Sequence, residues 1–263
     1  MKNKIKTGLV LSGGGVRGFA HLGVMKALNE YGIYPEEISG VSAGAIMGAL
    51  IADGHTPEQI LAYFTEKRVL KYLDISIPKR GLLKLSGLAR VLKVHLKAKT
   101  FEELNMPLHV CVSNLNNGKP EYFSKGKLLK IVLSSATIPI LIIPLEINKV
   151  TYVDGGLLNN LPVEPFLDRA EKIIGIHVNP IGYRKDFNSL VKIAERCFHL
   201  SVLNNIKERK EKCNIFIEPQ GLKKYGTLDV TKAEEIYNIG YKEGKEFLEK
   251  SLKMDKNKKI NYI

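Results

Sequence analysis

The stretch "EEISGVSAGAIMGALIADG", residues 36–54, joins a short strand to an apolar helix through a turn that contains one serine. Ser42 has one glycine two positions before it, Gly40, and another two positions after it, Gly44. This is the G-x-S-x-G spacing of a nucleophile elbow, in which a sharp turn presents a serine hydroxyl at the amino end of a helix. The alternative interpretation is a Gly/Ser turn that only lets the strand and helix pack closely.

A second glycine cluster follows the apolar run "KTGLVLSG" at residues 6–13, which predicts a strand buried on both faces. Residues 13–18, "GGGVRG", fit the G-x-G-x-x-G pattern of a dinucleotide-binding loop. That interpretation needs an acidic residue at the end of the second strand. Glu36 and Glu37 have nearly the right spacing, but they precede the strand.

The same glycine cluster also fits an oxyanion hole, in which the amides of Gly14 and Gly15 face the alkoxide that forms when Ser42 attacks a carbonyl. Arg17 lies in the same turn. Its guanidinium either orders the loop, attracts an anionic headgroup or is an ordinary surface charge.

Asp154 follows the strand-like run "VTYV" and precedes Gly155 and Gly156. An aspartate before two glycines is also a common turn sequence. A serine hydroxyl is a weak nucleophile until a base accepts its proton, and Asp154 supplies such a base. A carboxylate with a pKa of about 4 is a poor base, so this role requires burial to raise the pKa.

Apolar β-rich runs alternate with helical patterns along the chain, which predicts an α/β fold with a mainly parallel sheet and helices on both faces. Further strands are expected at 107–115, 150–156 and 172–180, and further helices at 125–136, 187–209 and 231–252. We expect one domain over residues 1–263, with the motifs between about 5 and 200 and a loose basic tail at 250–263.

The composition narrows the function. Forty Lys+Arg against 27 Asp+Glu give a formal net charge of +13, which favours anionic partners such as lipid headgroups, nucleic acid or acidic substrates. Three widely spaced cysteines, Cys111, Cys197 and Cys213, predict neither a metal site nor a disulfide framework. No run has the length of a signal-peptide core or a membrane span. We therefore expect a cytoplasmic protein that contacts a membrane, if at all, from its surface.

The three motifs, in this order, resemble those of the patatin-like phospholipases, and the resemblance extends over most of the chain. "RGFAHLGV", "TFEEL", "SSATIPILIIP" and "DGGLLNNLPVEP" are similar to the bacterial cytosolic branch that includes NTE-type serine esterases. The resemblance implies a three-layer α/β/α fold and a lipid or acyl-ester substrate, with no metal, cofactor or nucleic acid. The Leu-Ile-Ile within "SSATIPILIIP" stands where relatives often have an aromatic residue, which leaves the shape of the acyl pocket open.

In that family a serine and an aspartate form a catalytic dyad, which implies Ser42 as nucleophile and Asp154 as base. The resemblance also places the oxyanion hole and the supporting motif residues at Gly13, Gly14, Gly15, Arg17, Gly18, Gly40, Gly44, Gly155 and Gly156. A Ser-Asp-His triad is the competing arrangement, because His177 and His199 both follow Asp154 in the chain. We expect the dyad.

Two further hypotheses remain at this stage. A dinucleotide-binding oxidoreductase would use the glycine cluster but leave Ser42 and Asp154 without a role, and a non-catalytic lipid-binding regulator would use the same scaffold. Residues 81–99 interleave Leu88, Leu92 and other apolar side chains with lysines. This pattern fits a lipid-contacting helix or a cover over an acyl groove, but an ordinary helix packed on the core is the favoured interpretation.

Overall fold

The computed structural model describes residues 4–66, 85–183, 185–227 and 229–260. Within these residues the strands are β1 (Ile5–Leu11), β2 (Glu37–Val41), β3 (Leu108–Asn114), β4 (Lys119–Phe123), β5 (Leu145–Ile147), β6 (Val150–Asp154), β7 (Ala170–Ile176) and β8 (Ile215–Ile217). The α-helices are α1 (Phe19–Glu30), α2 (Ala43–Ala52), α3 (Pro57–Thr65), α4 (Ser86–His95), α5 (Leu128–Ser135), α6 (Leu190–Asn204), α7 (Lys207–Lys210) and α8 (Ala233–Ile260).

The strands form one sheet in the order β5-β6-β3-β2-β1-β7-β8, and β4 pairs with β3 outside this path. β1 pairs in parallel with β2 and β7, β2 with β3, and β7 with β8. β4, β5 and β6 are antiparallel to their partners. The predicted mainly parallel α/β sheet is confirmed, with a mixed edge that strand-by-strand patterns in the sequence do not reveal.

The two faces of the sheet carry separate cores because successive side chains of a strand point in opposite directions. In β1, Leu9 and Leu11 contribute to a large core with α1, α2 and α8. Val10, between them, packs on the other face with Phe166 and with Val202 of α6. All three β1 side chains are fully buried, as the continuous apolar run predicts. This arrangement gives the three expected layers.

Local signals set several helix ends. Thr56 caps α3 in a capping box with Gln59, and Pro57 occupies the first helical position. None of the described helices is long and apolar enough to cross a membrane.

The structure differs from the sequence-based expectation at the carboxyl end. α8 continues through Ile260, whereas the sequence predicts a helix to 252 and a loose basic tail at 250–263. Residues 250–260, "KSLKMDKNKKI", contain no Gly or Pro and are rich in lysine, which favours a helix once one has begun. Residues 261–263 lie outside the described part of the chain.

Candidate active site

Ser42 lies between the carboxyl end of β2 and the first residue of α2, where the sequence predicts an elbow. Its backbone φ is 53° and its ψ is −122°, an unfavourable conformation for a residue with a side chain. Surrounding contacts hold this turn: the Ser42 amide donates to Ser135 Oγ at 2.8 Å, and that hydroxyl donates to the Cys111 carbonyl at 2.6 Å. Ser42 is therefore held in a strained strand-to-helix turn, the geometry that the nucleophile-elbow prediction requires.

The two glycines of the elbow are required by close backbone approach. A Cβ atom on Gly40 would lie 2.5 Å from the carbonyl oxygen of Gly44. A Cβ atom on Gly44 would lie 2.2 Å from the carbonyl oxygen of Leu11 in β1. Neither position has room for a side chain, so the G-x-S-x-G spacing reflects the steric demand of this turn.

Asp154 ends β6 and reaches Ser42 through the order of the strands. β2 pairs with β3, and β3 pairs with β6 so that Val112 faces Asp154 across the ladder. Ser42, one residue beyond β2, is thereby brought to Asp154 although 112 positions separate them in the sequence. Asp154 is fully buried, and its Oδ1 accepts a hydrogen bond from the Gly156 amide at 2.8 Å.

Burial raises the pKa of Asp154 from its ordinary 3.8 to about 7, while hydrogen bonding from Ser42 and from the Gly156 amide opposes the rise. The Ser42 hydroxyl is thus close enough to stabilise the ionised carboxyl. Among the described residues, Oδ2 has no hydrogen-bond partner of normal geometry. Asp154 therefore combines a pKa near neutrality with a carboxyl group close to the Ser42 hydroxyl.

The glycine cluster lies against the serine. A Cβ atom on Gly13 would be 2.9 Å from the Ser42 Cβ and 3.6 Å from its Oγ. The Gly13 amide already donates to Asn160 Oδ1 at 3.1 Å. Within the described residues, the amides of Gly14 and Gly15 donate to no acceptor. Of the three glycines predicted for an oxyanion hole, only Gly13 has an amide that is already engaged.

Arg17 is not a surface charge. Its side chain is buried and donates from Nη2 and Nε to the carbonyl of Tyr225, at 2.6 and 3.1 Å, and from Nη1 to that of Pro180 at 3.4 Å. These contacts tie the glycine loop to two later segments of the chain. The expectation that Arg17 orders the loop fits this geometry, and the headgroup interpretation does not.

Ser42, Asp154 and residues 13–15 line one narrow cleft together with the inner face of α6. The cavity volume is about 20 Å³, which holds a water molecule but not a lipid acyl group. His199 of α6 is buried and also lines this cleft. His177 is not among the lining residues, and its Nδ1 donates to Glu218 Oε1 at 2.7 Å.

Three polar residues that sequence patterns do not single out support the site. Asn160 accepts from the Gly13 amide, and its Nδ2 is buried without a partner among the described residues. Asn179 donates from Nδ2 to the Gly13 carbonyl at 2.6 Å, and Ser135 holds the Ser42 amide. Asn160 lies within the quoted "DGGLLNNLPVEP" and Ser135 within the quoted "SSATIPILIIP", so these two stretches were the available signals. Asn179 has no motif spacing that would reveal it.

The structure opposes a dinucleotide site at the glycine cluster. Glu37 lies at the amino end of β2, where Arg169 donates to both of its carboxylate oxygens, at 2.6 and 3.0 Å. Glu36 accepts from the Lys6 amide at 3.2 Å, at the same edge of the sheet. The glycine cluster lies at the other end of these parallel strands, beyond the carboxyl end of β1. Neither acid can reach a ribose bound there.

No group of three or more His, Cys, Asp or Glu side chains within the described ranges is arranged to hold a metal ion.

In α4, Val91 and Leu92 are buried in the core, and Leu88 packs against it. This agrees with the core-packed interpretation of the 81–99 segment. Residues 81–84 of that prediction lie outside the described residues.

The fold and the elbow define the class: a three-layer α/β protein that presents a serine at the carboxyl edge of its sheet. Within this class the chain belongs to the patatin-like phospholipase family, which matches residues 9–167. The family inferred from the motifs is thereby confirmed.

Similar proteins support this placement. The chain is 30% identical over 287 residues to lysophospholipase nte1 of Aspergillus terreus, covering 92% of this chain and 18% of the relative. It is 29% identical over 218 residues to an uncharacterized NTE family protein of Mycobacterium tuberculosis, covering 78% and 61%. The chain thus spans less than two thirds of these relatives. The structure of VipD from Legionella pneumophila shares the fold, with a TM-score of 0.56 at 18% identity, over 93% of this chain and 67% of that one.

Proposed function

We propose that this chain is a serine lipid acyl hydrolase of the phospholipase A, lysophospholipase or carboxylesterase type, in which Ser42 and Asp154 form a catalytic dyad. The observation that carries the proposal is the meeting of a strained serine, a buried carboxyl and two unengaged amides in one cleft. Membership of the patatin-like phospholipase family, and similarity to a relative named lysophospholipase, support a lipid ester as substrate.

In the first half-reaction, Ser42 Oγ attacks the ester carbonyl carbon while its proton passes to the Asp154 carboxylate. The carbonyl oxygen becomes an oxyanion that accepts hydrogen bonds from the amides of Gly14 and Gly15. Each such donor stabilises the transition state by about 2.7–4 kcal/mol. The carbon–oxygen bond to the alcohol then breaks, and the proton on Asp154 moves to the leaving oxygen. The products are the free alcohol and an acyl-Ser42 ester.

In the second half-reaction, water attacks the acyl-Ser42 carbonyl and gives its proton to Asp154. Collapse of the tetrahedral intermediate releases the fatty acid, and the proton returns to Ser42 Oγ. A pKa of about 7 for Asp154 suits both directions of transfer, because the carboxyl is a stronger base than an exposed one and still a competent acid.

Labelling with a fluorophosphonate, followed by mass spectrometry of the adduct, tests this proposal. We expect one adduct on Ser42, none in Ser42→Ala, and unchanged labelling in the control Ser201→Ala, whose serine is exposed on α6. A panel of acyl esters of graded length then defines the substrate. Labelling elsewhere, or ester hydrolysis that survives Ser42→Ala, would contradict the assignment. Stoichiometric lipid binding without hydrolysis would instead favour a regulator on this scaffold.

A further inference from the structure

The outer face of α6 carries an unusual row of exposed apolar side chains. Leu190, Ile193, Cys197 and Leu200 recur at spacings of three, four and three residues, so they lie on one side of the helix. Leu190 is 84% exposed, and Ile193 and Leu200 are each exposed by more than 40%. The row, which we call the α6 stripe, extends over about 15 Å at the rise of an α-helix.

Neighbouring segments enlarge this apolar surface. Tyr183, 87% exposed, and Phe187 precede the helix. Within residues 138–143, Ile140 is 77% exposed and has a φ of 70°. Leu141 and Ile142 of the same segment pack with Ala194 of α6. The loop and the helix therefore expose apolar side chains next to each other, and single exposed residues of this size are normal whereas a contiguous group indicates a binding surface.

The opposite face of α6 lines the cleft that contains Ser42. Phe198, His199 and Val202 line it, and so does Glu195, which is buried. The Glu195 carboxylate accepts hydrogen bonds from the Thr227 amide at 3.2 Å and from the Thr227 hydroxyl. A single helix thus separates the serine from the exposed apolar stripe.

The exposed charges beside the α6 stripe are mostly positive, which favours an anionic partner. Lys185 and Lys192 are exposed on the same segment, against one exposed acid, Asp186. The chain as a whole carries a formal net charge of +13. An apolar surface bordered by lysines and exposed aromatic rings matches the interface of an anionic bilayer, where rings and aliphatic side chains enter the acyl boundary and lysines reach the headgroups.

We propose that the α6 stripe, with Tyr183, Phe187 and Ile140, is the surface by which this protein docks on anionic lipid, placing the cleft at the membrane. The proposal rests on the proposed function, because it explains how a lipid ester reaches Ser42. It assigns lipid contact to α6, and not to the 81–99 segment, for which lipid contact was the less favoured of the two sequence-based interpretations.

The test separates docking from catalysis. In a Ser42→Ala background, flotation with phosphatidylcholine vesicles containing phosphatidylglycerol measures binding without hydrolysis. We expect the triple substitution Leu190→Ser, Ile193→Ser and Leu200→Ser to weaken vesicle binding at least about tenfold. Each substitution removes an aliphatic side chain that would be buried in the bilayer interface when the protein is docked. Tyr34→Ser, which removes an exposed ring at the opposite edge of the sheet, is the matched control and should bind as its parent does.

A second arm uses Cys197, which is exposed on the stripe itself. Cys111 is buried, and burial raises the pKa of Cys213 to about 12, so an environment-sensitive maleimide should label Cys197 first. We expect a blue shift of its emission on anionic vesicles and none on pure phosphatidylcholine. An unchanged spectrum on both, together with unchanged flotation of the triple variant, would overturn the proposal.

With Ser42 intact, the triple variant should hydrolyse a soluble short-chain ester within about twofold of the wild type and lose activity on vesicles. Loss of activity on both substrates, with normal folding by circular dichroism, would contradict a docking role. If wild type hydrolyses neither substrate but still floats with vesicles, the proposed function fails while the docking surface stands. If the stripe substitutions convert a dimer to a monomer without changing flotation, the occupant is a second copy of the chain, and lipid docking is wrong.

Discussion

The buried carboxyl of Asp154 destabilises the fold whenever it is ionised. Its pKa is about 7 in the folded chain, against an ordinary 3.8, and burial is the main cause. A difference of this size corresponds to about 4 kcal/mol in the free energy of unfolding once both states are ionised. The unfolded chain loses its proton first, so the stabilisation present at low pH is lost as the pH rises towards about 7, and little changes above that.

Asp154→Asn removes the charge and keeps the shape of the side chain. Its Oδ1 can still accept from the Gly156 amide, but the new amide nitrogen takes the place of Oδ2, which has no partner among the described residues. A buried donor without a partner costs about 1–3 kcal/mol at any pH. We therefore expect an inactive variant that is more stable than the wild type by about 1–3 kcal/mol near pH 9.

The most direct test compares the free energy of unfolding of Asp154→Asn with that of the wild type at two pH values. The cost of the unpaired amide is the same at both values and cancels. The advantage of Asp154→Asn over wild type should be about 3 kcal/mol larger near pH 9 than near pH 5. Urea unfolding followed by circular dichroism measures it, since the chain has no tryptophan. Asp186→Asn, at an exposed position, controls for the loss of one negative charge. A stability difference that is the same at both pH values would refute the raised pKa and, with it, the argument for Asp154 as base.

The remaining predictions concern activity. The kcat/KM of the wild type should rise with pH around a midpoint of about 7, because only ionised Asp154 accepts the proton; a flat profile between about pH 5 and 8 would exclude that base. Replacing His177 or His199 by Gln should leave most esterase activity, although His199 lines the cleft, and a thousandfold loss in kcat for either would favour a triad over the dyad. Asn160→Ala should lower kcat by about 10- to 100-fold with little change in KM, because the substitution removes the acceptor of the Gly13 amide and loosens the glycine loop. A rise in KM of the same size would instead indicate a role in substrate binding.

Local patterns in the sequence predict the parts of the fold that depend on neighbouring residues. The β1 run and the elbow around Ser42 are short segments whose apolar continuity and glycine spacing define a conformation by themselves. The sequence does not predict β4, β5 or β8. β4 is nowhere fully buried, while β5 and β8 have three residues each, so none has the alternation or length that marks a strand.

Sequence reasoning is weaker where a property depends on distant contacts. The antiparallel direction of β6, which brings Asp154 into the site, is set by its pairing with β3 and not by its own residues. The roles of Ser135 and Asn160 depend on which amide each side chain reaches, and no spacing along the chain encodes that. For residues 81–99 the pattern of leucines and lysines fits two environments, and only packing separates them.

Two unfavourable features of the site lie beside fully buried strand ends. The strained φ of Ser42 and the buried carboxyl of Asp154 each destabilise the native state by about 1–4 kcal/mol. They persist because the strands that end beside them are anchored in the core. Leu11, Val41 and Val112 of β1, β2 and β3 are fully buried, and they fix the positions of the connecting loops. In the proposed mechanism, the oxyanion of the transition state accepts hydrogen bonds from the amides of Gly14 and Gly15, so this geometry would favour the transition state over the resting site. Core substitutions beneath these strand ends should therefore reduce activity before they unfold the protein, because the loops lose their imposed geometry first.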